Sequence, residues 1–266
     1  MTLAATTKSV GASSVAGIHQ GEAEELAIER AEQHSVLRSA ALHIVPGAII
    51  ALVFVAMIPL VRDAGLPPFM ALIAADLVGM PLMLGALLFV GYRRHGRPTL
   101  DGVVLYRRPL SLRRWLWLTP ALLVVAGLSM ALFAPVGAWI QEAFFAWLPA
   151  DFVLPMDISP WVGPMLGPML VLYFLVVAVG ASIVEELYFR GYLLPRLSRF
   201  GPGAAVLNAA LFALYHVWSP WLLIGRFVAW IPLALAARRT RSVRLMSTVH
   251  VAGNTADVVG WIPLIL

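Results

Sequence analysis

Seven stretches of the chain, about residues 41–61, 67–92, 115–139, 161–189, 203–218, 221–237 and 245–265, are apolar with few breaks. Several reach or approach the roughly 20 residues that carry an α-helix across a bilayer core. Of the 266 residues, 61% are hydrophobic and 12% charged, more apolar surface than a water-soluble domain of this length can hide. The expected fold is all-α, a polytopic membrane protein of about seven transmembrane helices. Three regions follow: a disordered, then acidic and helical tail over 1–40, N-terminal membrane helices over 41–160, and a C-terminal bundle over 161–266.

Charge supplies the orientation. The net charge is +5 and Lys8 is the only lysine among 19 basic residues. Such a balance in a soluble chain would suggest nucleic acid, but these arginines gather between apolar runs and act as topology signals, so no nucleic-acid partner is expected. Residues 93–114 hold seven arginines, 190–203 three and 238–244 four, whereas 140–160 hold only Glu142, Asp151 and Asp157 as charges. The positive-inside rule then places the arginine-rich loops and the N-terminus in the cytoplasm. Short loops favour a bacterial plasma membrane. Trp115, Trp139, Trp161, Trp218 and Trp221 lie near segment ends, as an interfacial belt would. The absence of cysteine removes disulfides and thiolate metal sites.

Ionisable groups within spans are costly, so each marks a candidate site. They are Asp76, Glu185, Glu186, His216, Arg226, His250 and Asp257, with Asn208 and Asn254 as neutral companions, and most fall after residue 184. His43, at the start of the first segment, can face the interface, and Asp76 can pair with Arg226. Glu186 and Arg190 are one turn apart and can pair, while Glu185 is turned by about 100°. Asn208, Phe212 and His216 share a helical stripe, as do His250, Asn254 and Asp257. A carboxylate, two imidazoles and an amide are enough to activate water and to stabilise an oxyanion.

Other membrane proteases are poorly matched. No HExxH string occurs, and Ser182 in "GASI" is followed by Ile183 rather than glycine, so it reads as a small packing residue. Neither Asp76 nor Asp257 sits in a GxGD-like context. The chain does resemble the CPBP family, the CAAX prenyl protease and bacteriocin-processing (Abi) group. "EELYFR" (Glu185, Glu186, Arg190), "FALYH" (Phe212, His216) and "HVAGN" (His250, Asn254) follow its EExxxR, FxxxH and HxxxN patterns in order. The likeness covers roughly residues 160–260. It implies a CPBP-like catalytic bundle in the C-terminal half and an intramembrane endopeptidase cutting a peptide or protein near the cytoplasmic face. Glu185 would activate water with His216 beside it, His250 and Asn254 would steady the oxyanion, and Glu186, Arg190 and Phe212 would brace the site. The family is usually called a metalloprotease, and Glu185, His216 and His250 are acceptable Zn²⁺ ligands; a metal-free glutamate mechanism is equally open. The alternatives are a transporter or ion relay, and a non-catalytic bacteriocin-immunity protein.

Depth poses a problem. Glu185 and His250 lie near the cytoplasmic ends of their segments, but His216 lies about 12 residues into its own, roughly 18 Å. For the three to meet, the fourth helix must run deeper than drawn or the fifth must start below the surface.

Overall fold

The structure, a computed structural model, describes residues 26–153 and 158–264. The tail reading for residues 1–25 lies outside them, as does Asp157. Among the described residues seven helices exceed ten residues, and no strand forms beyond one isolated bridge between Arg107 and Ser242. They are α1 (Val36–Asp63), α2 (Phe69–His95), α3 (Leu112–Phe145), α4 (Leu166–Phe200), α5 (Gly203–Tyr215), α6 (Leu223–Thr240) and α7 (Val243–Trp261). Each coincides with one of the apolar segments.

Five helices are long and apolar enough to cross a membrane: α1, α2, α3, α4, and α6 with its leading turn (Pro220–Thr240). The other two differ from expectation for physical reasons. Helix α5 has 13 residues, about 20 Å at 1.5 Å per residue, short of a bilayer core. Helix α7 carries Arg244, Thr248, His250, Asn254, Thr255 and Asp257, which lower its hydropathy. This remains an all-α polytopic membrane protein, with two of the three motif-bearing helices the least suited to face lipid.

Local chemistry sets the boundaries. The Ser35 hydroxyl caps α1 by accepting from the Arg38 amide at 3.1 Å. Helix α2 ends at Gly96, whose φ of 70° closes a left-handed cap onto the Tyr92 carbonyl. Helix α3 buries only Leu122 and Gly137, and exposes Leu116, Trp117, Val124, Leu128 and Leu132. Lipid, not water, suits that surface.

Helix α4 changes winding along its length. It is α-helical to Tyr173, π-helical over Phe174–Ala181, α-helical over Ser182–Glu185, π-helical over Glu186–Leu193, and 3₁₀ over Leu194–Phe200. Pro195, which has no N–H to give, sits at the start of the tight section. Wide turns of this kind recur at functional sites. Here the two π segments flank the single α turn that ends in Glu185.

The 190–203 segment, expected to be a loop, is helical as far as Phe200, and two of its three arginines are buried. Arg190 lies inside the bundle. Arg196 stacks 3.9 Å over Tyr192 and donates to the Val103 and Tyr192 carbonyls. The arginine-rich 96–111 connection is also docked rather than free. Leu105 N–H donates to the Gly191 carbonyl at 2.8 Å, and Val243 N–H to the Tyr106 carbonyl at 2.7 Å.

The main core joins α1, α2, α4 and α5 through Ile50, Phe54, Phe69, Met83, Phe189 and Tyr215. A Cβ at Gly47 would lie 1.9 Å from the Tyr215 carbonyl oxygen, so α1 touches the end of α5 only because residue 47 is glycine. Helices α5 and α6 form an antiparallel hairpin around Ala205, Ala209 and Ala234, a small-residue seam suited to close helix contact. Next to α1, the segment before residue 36 folds onto the end of α4. His34 N–H donates to the Arg196 carbonyl at 2.9 Å, and the Ser198 hydroxyl and Arg199 amide both donate to Gln33 Oε1. Burial, then the Arg38 and Arg196 charges, lower the His34 imidazole to about 4. Trp221, placed in the interfacial belt from sequence, is instead 3% exposed and packs edge-on to Phe145.

Candidate active site

Helices α4, α5, α6 and α7 bring most of the polar residues of the three motifs to one buried centre. Glu185 and Glu186 end the α turn of α4 and begin the following π turn, so adjacent side chains diverge. Both are buried.

Glu186 holds two partners. Its Oε1 lies 3.2 Å from Arg190 Nη1 and accepts from His250 Nδ1 at 3.0 Å. The guanidinium of Arg190, fully buried, is sandwiched between Phe212 at 3.9 Å and Trp230 at 4.1 Å. A buried cation needs an anion or an aromatic face, and Arg190 has both. Phe212 also stands edge-on to His250 and to His216, and Trp230 edge-on to His250. The brace is thus a closed unit of Glu186, Arg190, Phe212 and Trp230 that also grips the catalytic candidate His250.

Glu185 is held from another side. Tyr215 Oη donates to its Oε1 at 3.1 Å, while Oε2 has no hydrogen-bond partner among the described residues. Its Oε2 lies 3.9 Å from His250 Nε2, too far for a direct hydrogen bond. The two histidine nitrogens therefore face the two glutamates. The shorter contact is with Glu186, to which the family resemblance gave only a bracing role beside Arg190. With Nδ1–H donated to the Glu186 carboxylate, Nε2 is the nitrogen that looks toward Glu185.

Asn254, one turn beyond His250, donates from Nδ2 to the Ser182 hydroxyl at 3.0 Å. Ser182 is more than a packing residue, since it ties α7 to the turn that carries Glu185. His216 forms the C-cap of α5 and turns its Nδ1 back to the Phe212 carbonyl at 2.9 Å. It stacks edge-on against Phe212 and Tyr215. His216 thus reaches the wall of the site, with no hydrogen bond to Glu185 or His250.

The depth problem is resolved on the side of α4. That helix ends at Phe200 rather than near 189, which leaves Glu185 15 residues inside its end, roughly 20 Å. His216 lies a similar distance along α5.

Some polar candidates fall elsewhere. Asn208 turns away from the site and donates to His43 Nε2 at 3.1 Å and the Phe189 carbonyl at 3.2 Å. His43 is fully buried rather than interfacial, with Nδ1 on the Ser39 carbonyl. Asp257 is exposed. Asp76 is 4% exposed, and neither it nor Arg226 forms an ion pair among the described residues, so the suggested Asp76–Arg226 bridge is not made. Sequence reasoning passed over Tyr215 and Trp230. Tyr215 stands inside the "FALYH" string, and a hydroxyl next to the motif histidine was the available signal.

Among the described residues no three His, Cys, Asp or Glu side chains are arranged to hold an ion. Glu185 and His250 approach each other, but His216 is folded back on Phe212. The set named as Zn²⁺ ligands does not fit a metal in this arrangement.

Residues 167–256 match the family described as "Type II CAAX prenyl endopeptidase Rce1-like". The match opens in α4, closes in α7 and contains every residue of the three motifs. It supports the CPBP assignment and, at the level of the family, a membrane endopeptidase. No curated protein and no solved structure is significantly similar to the chain.

Proposed function

We propose that this chain, through its CPBP-type core, hydrolyses a peptide bond with water activated by Glu185. One observation carries the reading: Glu185 is buried with one oxygen fixed by Tyr215 and the other unengaged, facing His250 Nε2 across 3.9 Å. A general base needs a free lone pair and a fixed orientation, and Glu185 has both.

In the proposed cycle Glu185 Oε2 takes a proton from water as the oxygen attacks the scissile carbonyl carbon. The carbonyl π pair moves onto its oxygen, which accepts hydrogen bonds from Asn254 and His250. Glu185 then gives its proton to the amide nitrogen, the C–N bond breaks, and an acid and an amine leave. Glu186 and Arg190 hold His250 in one tautomer and one orientation. His216 closes the wall beside Tyr215 and assists at the water.

The cut falls near the cytoplasmic face of a bacterial plasma membrane, with the N-terminus inside. Supporting this, the exposed Arg93 and Arg94 close the last turn of α2 and the exposed Arg97 follows it, on the side where positive charge marks the cytoplasm. The partners are the bilayer and a peptide or protein substrate.

The test is cleavage by purified protein in lipid nanodiscs of a prenylated CAAX peptide. Glu185→Gln should lower the rate at least 1000-fold at unchanged thermal stability, within the range of losing both base and acid steps. Retained cleavage would sink the proposal. Metal analysis of wild type and His216→Ala reads the Zn²⁺ alternative; stoichiometric zinc, lost in the variant, would overturn the metal-free cycle.

A further inference from the structure

Helix α3 opens on a cleft that has no place in the cycle above. Ser111, Arg113, Arg114, Trp117 and Leu118 line an open hollow of about 560 Å³ at the arginine-rich end of the bundle. Arg113 comes one turn before Trp117 and Arg114 one turn before Leu118, so each basic side chain shares a face with an apolar one. Trp115 and Leu118 pack against the second core, around Leu105, Leu122 and Leu245, which fixes the floor of the cleft. Trp117 is 73% exposed at its rim.

Both arginines are exposed, and neither forms an ion pair among the described residues. The chain supplies little acid at this end. No Asp or Glu occurs between Asp101 and Glu142, or between Glu186 and Asp257. Asp101 is taken by Arg107 and Glu32 by Arg38, and the exposed Glu29 pairs with neither Arg113 nor Arg114. Two adjacent guanidiniums suit a phosphate, which accepts from several N–H donors at once. The end of the helix is not the binding element, since the Ser111 hydroxyl already accepts from the Arg114 amide.

Beyond the cleft the surface becomes apolar. Trp117, Ala121, Val124 and Leu128 follow at spacings of four, three and four along one face of α3, and all are exposed. At 1.5 Å per residue that track is roughly 16 Å long, about half of a 30 Å hydrocarbon core. A soluble anion would use the arginines alone. A phospholipid uses the arginines for its headgroup and the track for an acyl chain.

We infer that the start of α3 is a binding site for one anionic phospholipid. Arg113 and Arg114 hold the headgroup phosphate, Trp117 sits at the interface, and an acyl chain lies along Ala121, Val124 and Leu128. A zwitterionic lipid brings its own cation to the arginines and loses the advantage. The site is independent of the peptidase reading and stands or falls without it.

The test is native mass spectrometry of delipidated protein in detergent, titrated with phosphatidylglycerol or with phosphatidylcholine of the same acyl chains. An arginine near the surface is worth about 5-fold toward an anionic lipid, so the pair should favour phosphatidylglycerol about 30-fold. The double variant Arg113→Gln/Arg114→Gln should bring the two lipids to within about 3-fold of each other, at an unchanged unfolding midpoint. Arg93→Gln/Arg94→Gln, exposed at the end of α2 and outside the cleft, should keep the preference. Equal binding of the two lipids by the parent overturns the inference, and so does a preference that persists in the Arg113/Arg114 variant. An equal loss in the Arg93/Arg94 variant also overturns it, because diffuse charge would then account for the binding. Should the Arg113/Arg114 variant fail to fold, raised ammonium acetate makes the same test on the parent, whose preference should fade as the charges are screened; a preference indifferent to salt overturns the inference. Inorganic phosphate at the lipid's concentration should not displace phosphatidylglycerol, and displacement would make this a free-phosphate site and overturn the lipid assignment.

Discussion

Glu186→Gln separates bracing from catalysis. The substitution keeps size and removes the charge that offsets Arg190, whose guanidinium is fully buried. Removing one member of a buried pair costs about 3–5 kcal/mol, because the remaining ion is uncompensated. Here the Phe212 and Trp230 faces hold the cation at 3.9 and 4.1 Å with or without Glu186 and keep it from being wholly uncompensated. The expected loss is therefore at the lower end of that range, about 3 kcal/mol. His250 also loses a charged acceptor at 3.0 Å, and its ring is then free to change tautomer. Activity should fall about 100-fold, comparable to losing a partner that orients an imidazole.

The double variant Glu186→Gln/Arg190→Met decides between the two roles. It removes both charges and keeps an apolar chain between the aromatic faces, so stability should return to within about 1 kcal/mol of the parent. Activity should not return, because His250 still lacks its carboxylate. Thermal unfolding in one detergent, followed by tryptophan emission, gives the first quantity, and initial cleavage rates give the second. Recovery of activity with stability would refute the view that Glu186 orients His250. A fully stable Glu186→Gln single variant would refute the view that it offsets Arg190.

Three further outcomes follow from other parts of the fold. Tyr215→Phe leaves both Glu185 oxygens without a donor and should lower kcat about 10- to 100-fold at near-parental stability, read by steady-state kinetics. Gly47→Ala drives a methyl to 1.9 Å from the Tyr215 carbonyl and should cost about 3 kcal/mol or prevent accumulation, whereas Gly85→Ala, with no neighbour within 4 Å of its Cβ, should be tolerated; unfolding midpoints compare them. His34 stays neutral in the fold down to about pH 4 but takes a proton near 6.5 when unfolded. The unfolded chain then binds more protons between those values, so stability is flat above pH 6.5 and falls as pH drops toward 4. His34→Phe should flatten that part of a midpoint-against-pH curve, since neither ring nitrogen of His34 has a hydrogen-bond partner.

Much of the architecture was legible because apolar runs of this length have few solutions in a bilayer. All seven segments became helices. What failed was the reading of arginine. Counting Arg190 and Arg196 as cytoplasmic loop charges assumed that a cation after an apolar run marks a surface, yet both are buried, one against Glu186, Phe212 and Trp230, the other over Tyr192 and two carbonyls. Their partners lie up to 93 residues away, where no local pattern reaches. The same error shortened α4 and produced the mismatch in depth.

The site shows the complementary limit. Spacing along single helices correctly grouped Phe212 with His216 and His250 with Asn254, since i, i+4 neighbours share a face in any α-helix. It also grouped Asn208 with His216 and Asp257 with His250, and there it misled. Asn208 bonds His43 and Phe189, and Asp257 is exposed. Helix α5 is short and meets α1 at Asn208 and again at its last turn, beside the site, so a straight stripe along it meets two different neighbours. A stripe names candidates, and the crossing of helices selects among them. Tyr215, off the stripe and one residue before the motif histidine, touches Glu185 because α5 ends there and Gly47 lets α1 press against its last carbonyl. The residue that holds the general-base candidate is thus positioned by a glycine on another helix, 168 residues earlier than its contact partner Tyr215.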